Sequence, residues 1–137
     1  MVGETLKLKV KAYQPSQSYT PSMPTLTIPG FPAIQTHEGE RLVLALERGG
    51  TGILHRCGGV ARCTTCRVQF TAGEPQAMTR AEQDRLTEKE LLGQARLSCQ
   101  MLCQHDMTLT VLQTEASSGL EAGKTPAAQI EPEPVWV

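Results

Sequence analysis

The sequence predicts an α+β domain in which a mixed β-sheet carries one main helix. Three observations predict it. Short stretches of apolar–polar alternation, such as Met107-Thr108-Leu109-Thr110-Val111-Leu112, have the period of two of a half-buried strand. Residues 41–48 instead have the spacing of an amphipathic helix. All five cysteines lie between positions 57 and 103, three of them in one short glycine-containing loop.

Taken in order, residues 5–13 read as a first strand. Leu6, Leu8, Val10 and Ala12 alternate with Lys7, Lys9 and Lys11, which would line a wet face and discourage edge pairing. Residues 14–24 hold Pro15, Pro21 and Pro24 among hydroxyl residues and read as a linker. Residues 25–28 and 32–36 are short strands joined at Pro29-Gly30, a hairpin. Leu42, Ala45 and Leu46 then fall at i, i+3 and i+4 with Val43 alongside, while Arg41, Glu47 and Arg48 are expected to face away. Glu38 and Glu40 would suit the positive end of this helix, and Gly49-Gly50 would end it.

Beyond the cysteine loop, residues 67–70 form a strand and 71–75 a turn. Thr79 and Glu82 have capping-box spacing, opening a helix to about Leu86 that residues 87–92 would continue before Gly93. Residues 94–103 are a strand region, and 107–112 the final strand. After Gln113 the chain turns to Ser, Gly, Ala, Pro and Glu without apolar periodicity, so 114–137 is expected to be a disordered tail. Trp136, the one tryptophan, is read as part of a frayed end, with docking on the domain or a partner as the alternative.

The chemistry lies in Arg56-Cys57-Gly58-Gly59-Val60-Ala61-Arg62-Cys63-Thr64-Thr65-Cys66-Arg67-Val68 and, far away, Arg96-Leu97-Ser98-Cys99-Gln100. Thiolate is a soft ligand that suits zinc, Cu(I) or iron–sulfur clusters. A [2Fe–2S] cluster needs four, and Cys57, Cys63, Cys66 and Cys99 supply four. Glycine next to the first cysteine lets backbone amides approach the sulfur closely. Structural zinc normally shows paired short spacings, and only one C-x2-C exists here. A thioredoxin-type pair at Cys63 and Cys66 would follow a strand rather than precede one. A Rieske-like site would need two histidines in place of two cysteines; His55 is beside the loop, but His37 and His105 are in other contexts. Cys103 is four residues beyond Cys99, about 13 Å along an extended strand, and reads as a buried hydrophobe.

Composition narrows the classes. A chain of 137 residues suits one domain, with a small core because aromatics are scarce. A formal net charge of −1 gives no basic field for nucleic acid. No apolar run is long enough to span a membrane, and the first residues lack a secretory signal pattern, so a cytoplasmic protein is expected. An odd number of cysteines fits metal ligation in a reducing compartment better than a disulfide framework.

Cys57-Gly58-Gly59-Val60-Ala61-Arg62-Cys63-Thr64-Thr65-Cys66-Arg67-Val68, with Arg96-Leu97-Ser98-Cys99-Gln100, resembles the [2Fe–2S] ferredoxins of plant and adrenodoxin type, from about Thr25 to Leu112. The x5 spacing is similar to the adrenodoxin side, while C-G-G and T-C-R look like bacterial ferredoxin domains. The resemblance implies a β-grasp fold, and so the divisions 1–24, an N-terminal strand and linker, 25–113, the ferredoxin domain, and 114–137, the tail. It implies a monomeric one-electron carrier, not an enzyme, working between a ferredoxin reductase and an electron-accepting protein. It also implies that Cys57 and Cys63 hold the iron nearest the surface, where the added electron resides, and Cys66 and Cys99 the inner one. A redox-sensing module and a structural zinc protein are the alternatives. Amides of residues 58–65 and the hydroxyls of Thr64 and Thr65 are candidate donors to sulfur. His55, Arg56, Arg62 and Arg67 flank the loop, and positive charge there favours the reduced state, so the potential is expected to be less negative than in an acid-rimmed ferredoxin.

Overall fold

The computed structural model describes residues 23–137; the lysine-striped strand expected at 5–13 lies outside them. Leu26 and Ile34 are the apolar members of their short stretches, and they meet where β1 (Thr25–Thr27) pairs antiparallel with β2 (Ile34–Gln35). A two-residue strand β3 (Glu40–Arg41) leads straight into α1 (Leu42–Arg48). After the cysteine loop come β4 (Arg67–Ala72) and α2 (Arg80–Glu88). The segment from 96 onward is β5 (Arg96–Leu97), a 3₁₀ turn (Ser98–Gln100) and β6 (Leu102–Cys103). β7 (Met107–Val111) and a one-turn helix α3 (Glu115–Ser118) follow.

The main sheet has the order β2-β1-β7-β4-β5. β1 and β7 are parallel, Leu26 opposite Met107, and the other neighbours are antiparallel. β3 and β6 form a separate two-stranded ribbon. This is the β-grasp arrangement: the last sheet strand lies beside the first, and one helix packs over the sheet. Leu42, Val43, Ala45 and Leu46 of α1 are wholly buried in one core with Leu26, Val68, Leu97 and Leu109. Each large side chain among them contributes about 1.5–3 kcal/mol by leaving water.

Four expectations need correction. The helix starts at Leu42, and Glu40 and Arg41 pair instead with Cys103 and Leu102. Strand alternation then sends the two side chains opposite ways. Glu40 turns out to meet Arg48 at 2.9 Å, and Arg41 turns inward, fully buried rather than facing away. The expected acidic first turn of the helix is therefore absent.

The capping box at Thr79 is half formed. Thr79 Oγ1 accepts from the Glu82 amide at 3.1 Å, but the Glu82 carboxylate leaves the helix end for Arg96. Arg96 Nε donates to Glu82 Oε2 at 2.7 Å, and the Leu97 amide donates to the same oxygen at 2.8 Å. Arg96 also donates to the carbonyls of Pro75 and Ala77. A buried ion pair thus ties α2 to β5, directly before Cys99.

The strand region at 94–103 is bent by the 3₁₀ turn, which sends Cys99 and Cys103 to different places. Finally, 114–137 is packed along the domain rather than disordered. The Arg80 amide donates to the Val135 carbonyl and the Val137 amide to that of Met78, so Trp136 bridges to Thr79. Pro126 and Ile130 are buried. The segment lacks an apolar stripe because it docks through its backbone.

The Glu82–Arg96 pair gives a direct test. Glu82→Ala removes the buried partner of the Arg96 guanidinium and leaves it only half-exposed Glu74, at 3.2 Å, so a loss toward the lower end of about 3–5 kcal/mol is expected. Urea unfolding followed by circular dichroism should show a lower midpoint with an unchanged slope.

Candidate metal centre

The loop from 55 to 66 joins the end of α1 to β4. Ile53 and Leu54 are buried and anchor its entry. His55 is buried beside them, and its Nε2 lies 3.2 Å from Glu47 Oε2, so this histidine is engaged by the helix and not by the thiols. The backbone then coils through four left-handed residues: Gly58, Gly59, Ala61 and Thr64, with φ of 80°, 82°, 61° and 57°. At Gly59 a Cβ would lie 2.7 Å from Pro126 Cβ and 3.1 Å from Arg41 Nη2, so only glycine fits. Ala61 and Thr64 bear side chains in a conformation that costs on the order of 1–3 kcal/mol each. They are held there by arginines. Arg85 Nε donates to the Ala61 carbonyl at 3.1 Å, and Arg67 donates to the Thr64 carbonyl at 2.9 Å and to its hydroxyl at 3.0 Å.

This coil gathers sulfur. Cys57 and Cys63 come together, and Cys66 meets Cys99. The second meeting is fixed by Ser98, whose amide and hydroxyl both donate to the Cys66 carbonyl, at 3.1 and 2.8 Å. Cys57 and Cys63 are half-buried, whereas Cys66 and Cys99 are buried. In each pair one thiol donates to the other. Accepting from Cys63 pushes the Cys57 thiol down to about 4, while donating raises Cys63. Donating to Cys99, and burial, raise Cys66; Cys99 is lowered by accepting from it.

Further donors surround the sulfurs. The Arg62 amide points at Cys57 Sγ from 3.4 Å, and the Cys57 amide at Cys63 Sγ from 3.3 Å. The Thr65 hydroxyl lies 3.0 Å from Cys63 Sγ, and Gln100 Nε2 is 3.7 Å from Cys99 Sγ. Thr64, expected as a donor to sulfur, instead donates to the Cys63 carbonyl at 2.6 Å. Of the flanking arginines, Arg56 is bound to the Glu121 carbonyl, Arg67 to Thr64, and Arg62 is exposed.

The residue that sequence reasoning missed is Arg41. Its Nη2 donates to the Gly59 carbonyl and the Cys99 carbonyl, both at 2.6 Å, and Nε also reaches the Cys99 carbonyl, at 3.2 Å. Nη1 donates to the Ala127 carbonyl at 2.7 Å. Burial lowers its pKa, opposed by the charges of Cys99, Cys66, Glu131 and Cys57, and an arginine remains a guanidinium under such a shift. The sequence signal was the E-R pair beside a β-bridge, not the helical spacing.

Cys103 stands apart. It is wholly buried on β6, and burial pushes its thiol up to about 11.

The donor set fits a two-metal cluster. Among the described residues, no group of three or more His, Cys, Asp or Glu side chains is placed to hold one metal ion. The four thiols form two pairs, the division that two tetrahedral irons joined by bridging sulfides require. The fold and this sulfur arrangement define a protein of the [2Fe–2S] electron-transfer class.

Comparison with known proteins agrees. Residues 32–104, more than half of the chain, match the family described as 2Fe-2S iron-sulfur cluster binding domain, and the chain belongs to that family. A [2Fe–2S] cluster is therefore its cofactor. Curated relatives include one component of the Na(+)-translocating NADH-quinone reductase, found in several bacteria. That of Pseudoalteromonas atlantica is 34% identical over 87 residues, 62% of this chain and 21% of that protein. That of Chlamydia felis is 41% identical over 75 residues, 53% of this chain and 17% of that protein. The chain thus spans about a fifth of the length of these relatives. Among solved structures, the ISC-like [2Fe-2S] ferredoxin of Pseudomonas putida superimposes with a TM-score of 0.53 at 27% identity, covering 66% of this chain and 93% of that one. The ferredoxin reductase of carbazole 1,9a-dioxygenase shares the fold, with a TM-score of 0.55 at 20% identity over 71% of this chain and 30% of that one.

Thiol labelling at pH 8 distinguishes the cysteines in the cluster-free protein. Half-buried Cys57 should alkylate first. Cys103, ionised to about one part in a thousand at that pH, should react far more slowly than Cys57, and faster only as pH rises toward about 11. Peptide mass spectrometry reads the order.

Proposed function

We propose that Cys57, Cys63, Cys66 and Cys99 hold the cluster, and that the protein is a one-electron shuttle between a ferredoxin reductase and an electron-accepting protein. The single observation that carries the ligand assignment is the arrangement of these four thiols as two pairs, one half-buried and one buried. When bound, the cluster supplies reversible one-electron chemistry at two irons.

The chain's own residues do the rest. The Cys57–Cys63 pair is the more exposed, so it is the side from which a partner approaches and an electron enters. Cys66 and Cys99 lie beneath it with β4, β5 and α1 around them, where water is excluded. The Arg62 and Cys57 amides and the Thr65 hydroxyl direct positive dipole ends at sulfur. They stabilise the negative charge that grows on reduction. No bond in a substrate is made or broken, so the protein is a carrier rather than an enzyme.

Partners of reductase type are supported by the relatives, in which the matched region is a minor part of a component of an NADH-quinone reductase. No helix among the described residues is long and apolar enough to cross a membrane. Uncrosslinked thiols suit a reducing compartment, and we place the shuttle in the cytoplasm as a monomer.

Anaerobic purification should give a reddish-brown protein with two irons and two labile sulfides per chain. Rapid mixing with a reduced ferredoxin reductase should bleach its visible spectrum, and an added acceptor should restore it; a protein that loads but passes no electrons is not a shuttle. Cys99→Ala should abolish stable cluster binding. Cys103→Ala should retain two irons per chain, and if these two outcomes were exchanged the ligand assignment would fall.

A further inference from the structure

We propose that Arg41 is a positioning residue for the cluster: its buried guanidinium pins the two thiol-bearing segments together and supplies the fixed positive counter-charge that raises the reduction potential. This rests on the cluster assignment above and adds to it the residue that tunes the site.

Three observations carry it. Arg41 is wholly buried, and among the described residues all its hydrogen-bond acceptors are carbonyl oxygens: Gly59, Cys99 and Ala127. A buried charge without an ionic partner is costly, and structures retain one only where something compensates it. Second, the three carbonyls belong to three different segments. Gly59 lies between Cys57 and Cys63, Cys99 carries the distant thiol, and Ala127 belongs to the C-terminal segment that covers the loop. Third, the space around the guanidinium is closed. A Cβ on Gly59 would come within 2.7 Å of Pro126 Cβ and 3.1 Å of Nη2, so proline and guanidinium both crowd that glycine. The cation is held there by its carbonyl partners, out of water.

Glu131 acts on Arg41 only through space, without an ion-pair contact among the described residues, and the cluster supplies the larger counter-charge. Four thiolates and two bridging sulfides around two ferric irons carry a net charge of −2, and one added electron makes it −3. The electron comes from the reductase, and no proton or bond change accompanies it. A fixed cation beside the Cys99 carbonyl stabilises the −3 state more than the −2 state. Because it is buried, salt screens it little, unlike the exposed Arg62.

The test is redox titration of the loaded full-length chain, with Arg41→Met, Arg41→Lys and Arg62→Glu beside it, at low and high salt. Arg41→Met should have a more negative midpoint potential, and the shift should persist in about 1 M salt, where the Debye length is about 3 Å. Arg62→Glu should shift less, and its shift should fade as salt rises. Arg41→Lys, which keeps the charge and loses the fork, should lie between Arg41→Met and the unaltered protein. Loaded Arg41→Met with an unmoved potential overturns the proposal, as does a shift that salt abolishes.

Thermal unfolding gives a second readout that does not need the variant to load. A merely structural pin lowers the melting temperature of cluster-free and loaded protein alike. Under the proposal, the cluster-free Arg41→Met protein loses what its hydrogen bonds to Gly59, Cys99 and Ala127 contributed, and the gain in melting temperature on loading is also smaller than in the unaltered protein. An unchanged gain on loading makes Arg41 a structural pin alone and overturns the charge proposal. Should the unaltered protein bind no two-iron, two-sulfide cluster, the functional reading itself falls, which is a different outcome from an unmoved potential in a loaded variant.

Discussion

The structure depends on one meeting, that of Cys66 with Cys99. The two lie on different segments, 33 positions apart in the chain, and under the proposed assignment neither serves without the other. Backbone and side chain of Ser98 both bind the Cys66 carbonyl, and β4 pairs with β5 so that Arg67 is opposite Leu97. These bonds leave little freedom at the buried end of the site. The Arg96–Glu82 pair holds the same segment from the other side, which explains why an ion pair occupies space that apolar residues would otherwise fill. Around this fixed end the remaining loop coils, at a backbone cost met by Arg67 and Arg85.

Much of this was legible in the sequence because ligand chemistry is demanding. Four thiols at C-x5-C-x2-C with one distant partner leave few alternatives, and the structure pairs them. The helix at Leu42–Arg48 was legible from Leu42, Val43, Ala45 and Leu46, and the hairpin from Pro29-Gly30. Arg41 was not, for a geometric reason. It sits at the junction of a strand and a helix, and assigning it to the wrong element reverses the direction of its side chain. Helical periodicity put it in water; strand parity puts it inside.

The C-terminal segment was hidden for another reason. Its composition has the low apolar content of a disordered chain, yet its attachment relies on backbone carbonyls. Glu121, Ala122, Ala127 and Glu131 offer their carbonyls to Arg56, His55, Arg41 and Gln100. Such bonds leave no periodic trace, because every residue has a carbonyl. Only Pro126 and Ile130 of the segment are fully buried apolar residues, and two residues do not make a pattern.

The parallel pairing of Leu26 with Met107 has a kinetic consequence. The first described strand and the last one in the sheet are neighbours, with β4 on the far side of β7. During synthesis, β1 and its hairpin partner emerge early and wait for β7 before the sheet can close. Such non-local contacts slow folding, because loop entropy is lost before the contact forms. Cys57, Cys63 and Cys66 therefore leave the ribosome before Cys99, and under the proposed assignment the delivery of iron and sulfide is best timed to follow the emergence of Cys99 and β7.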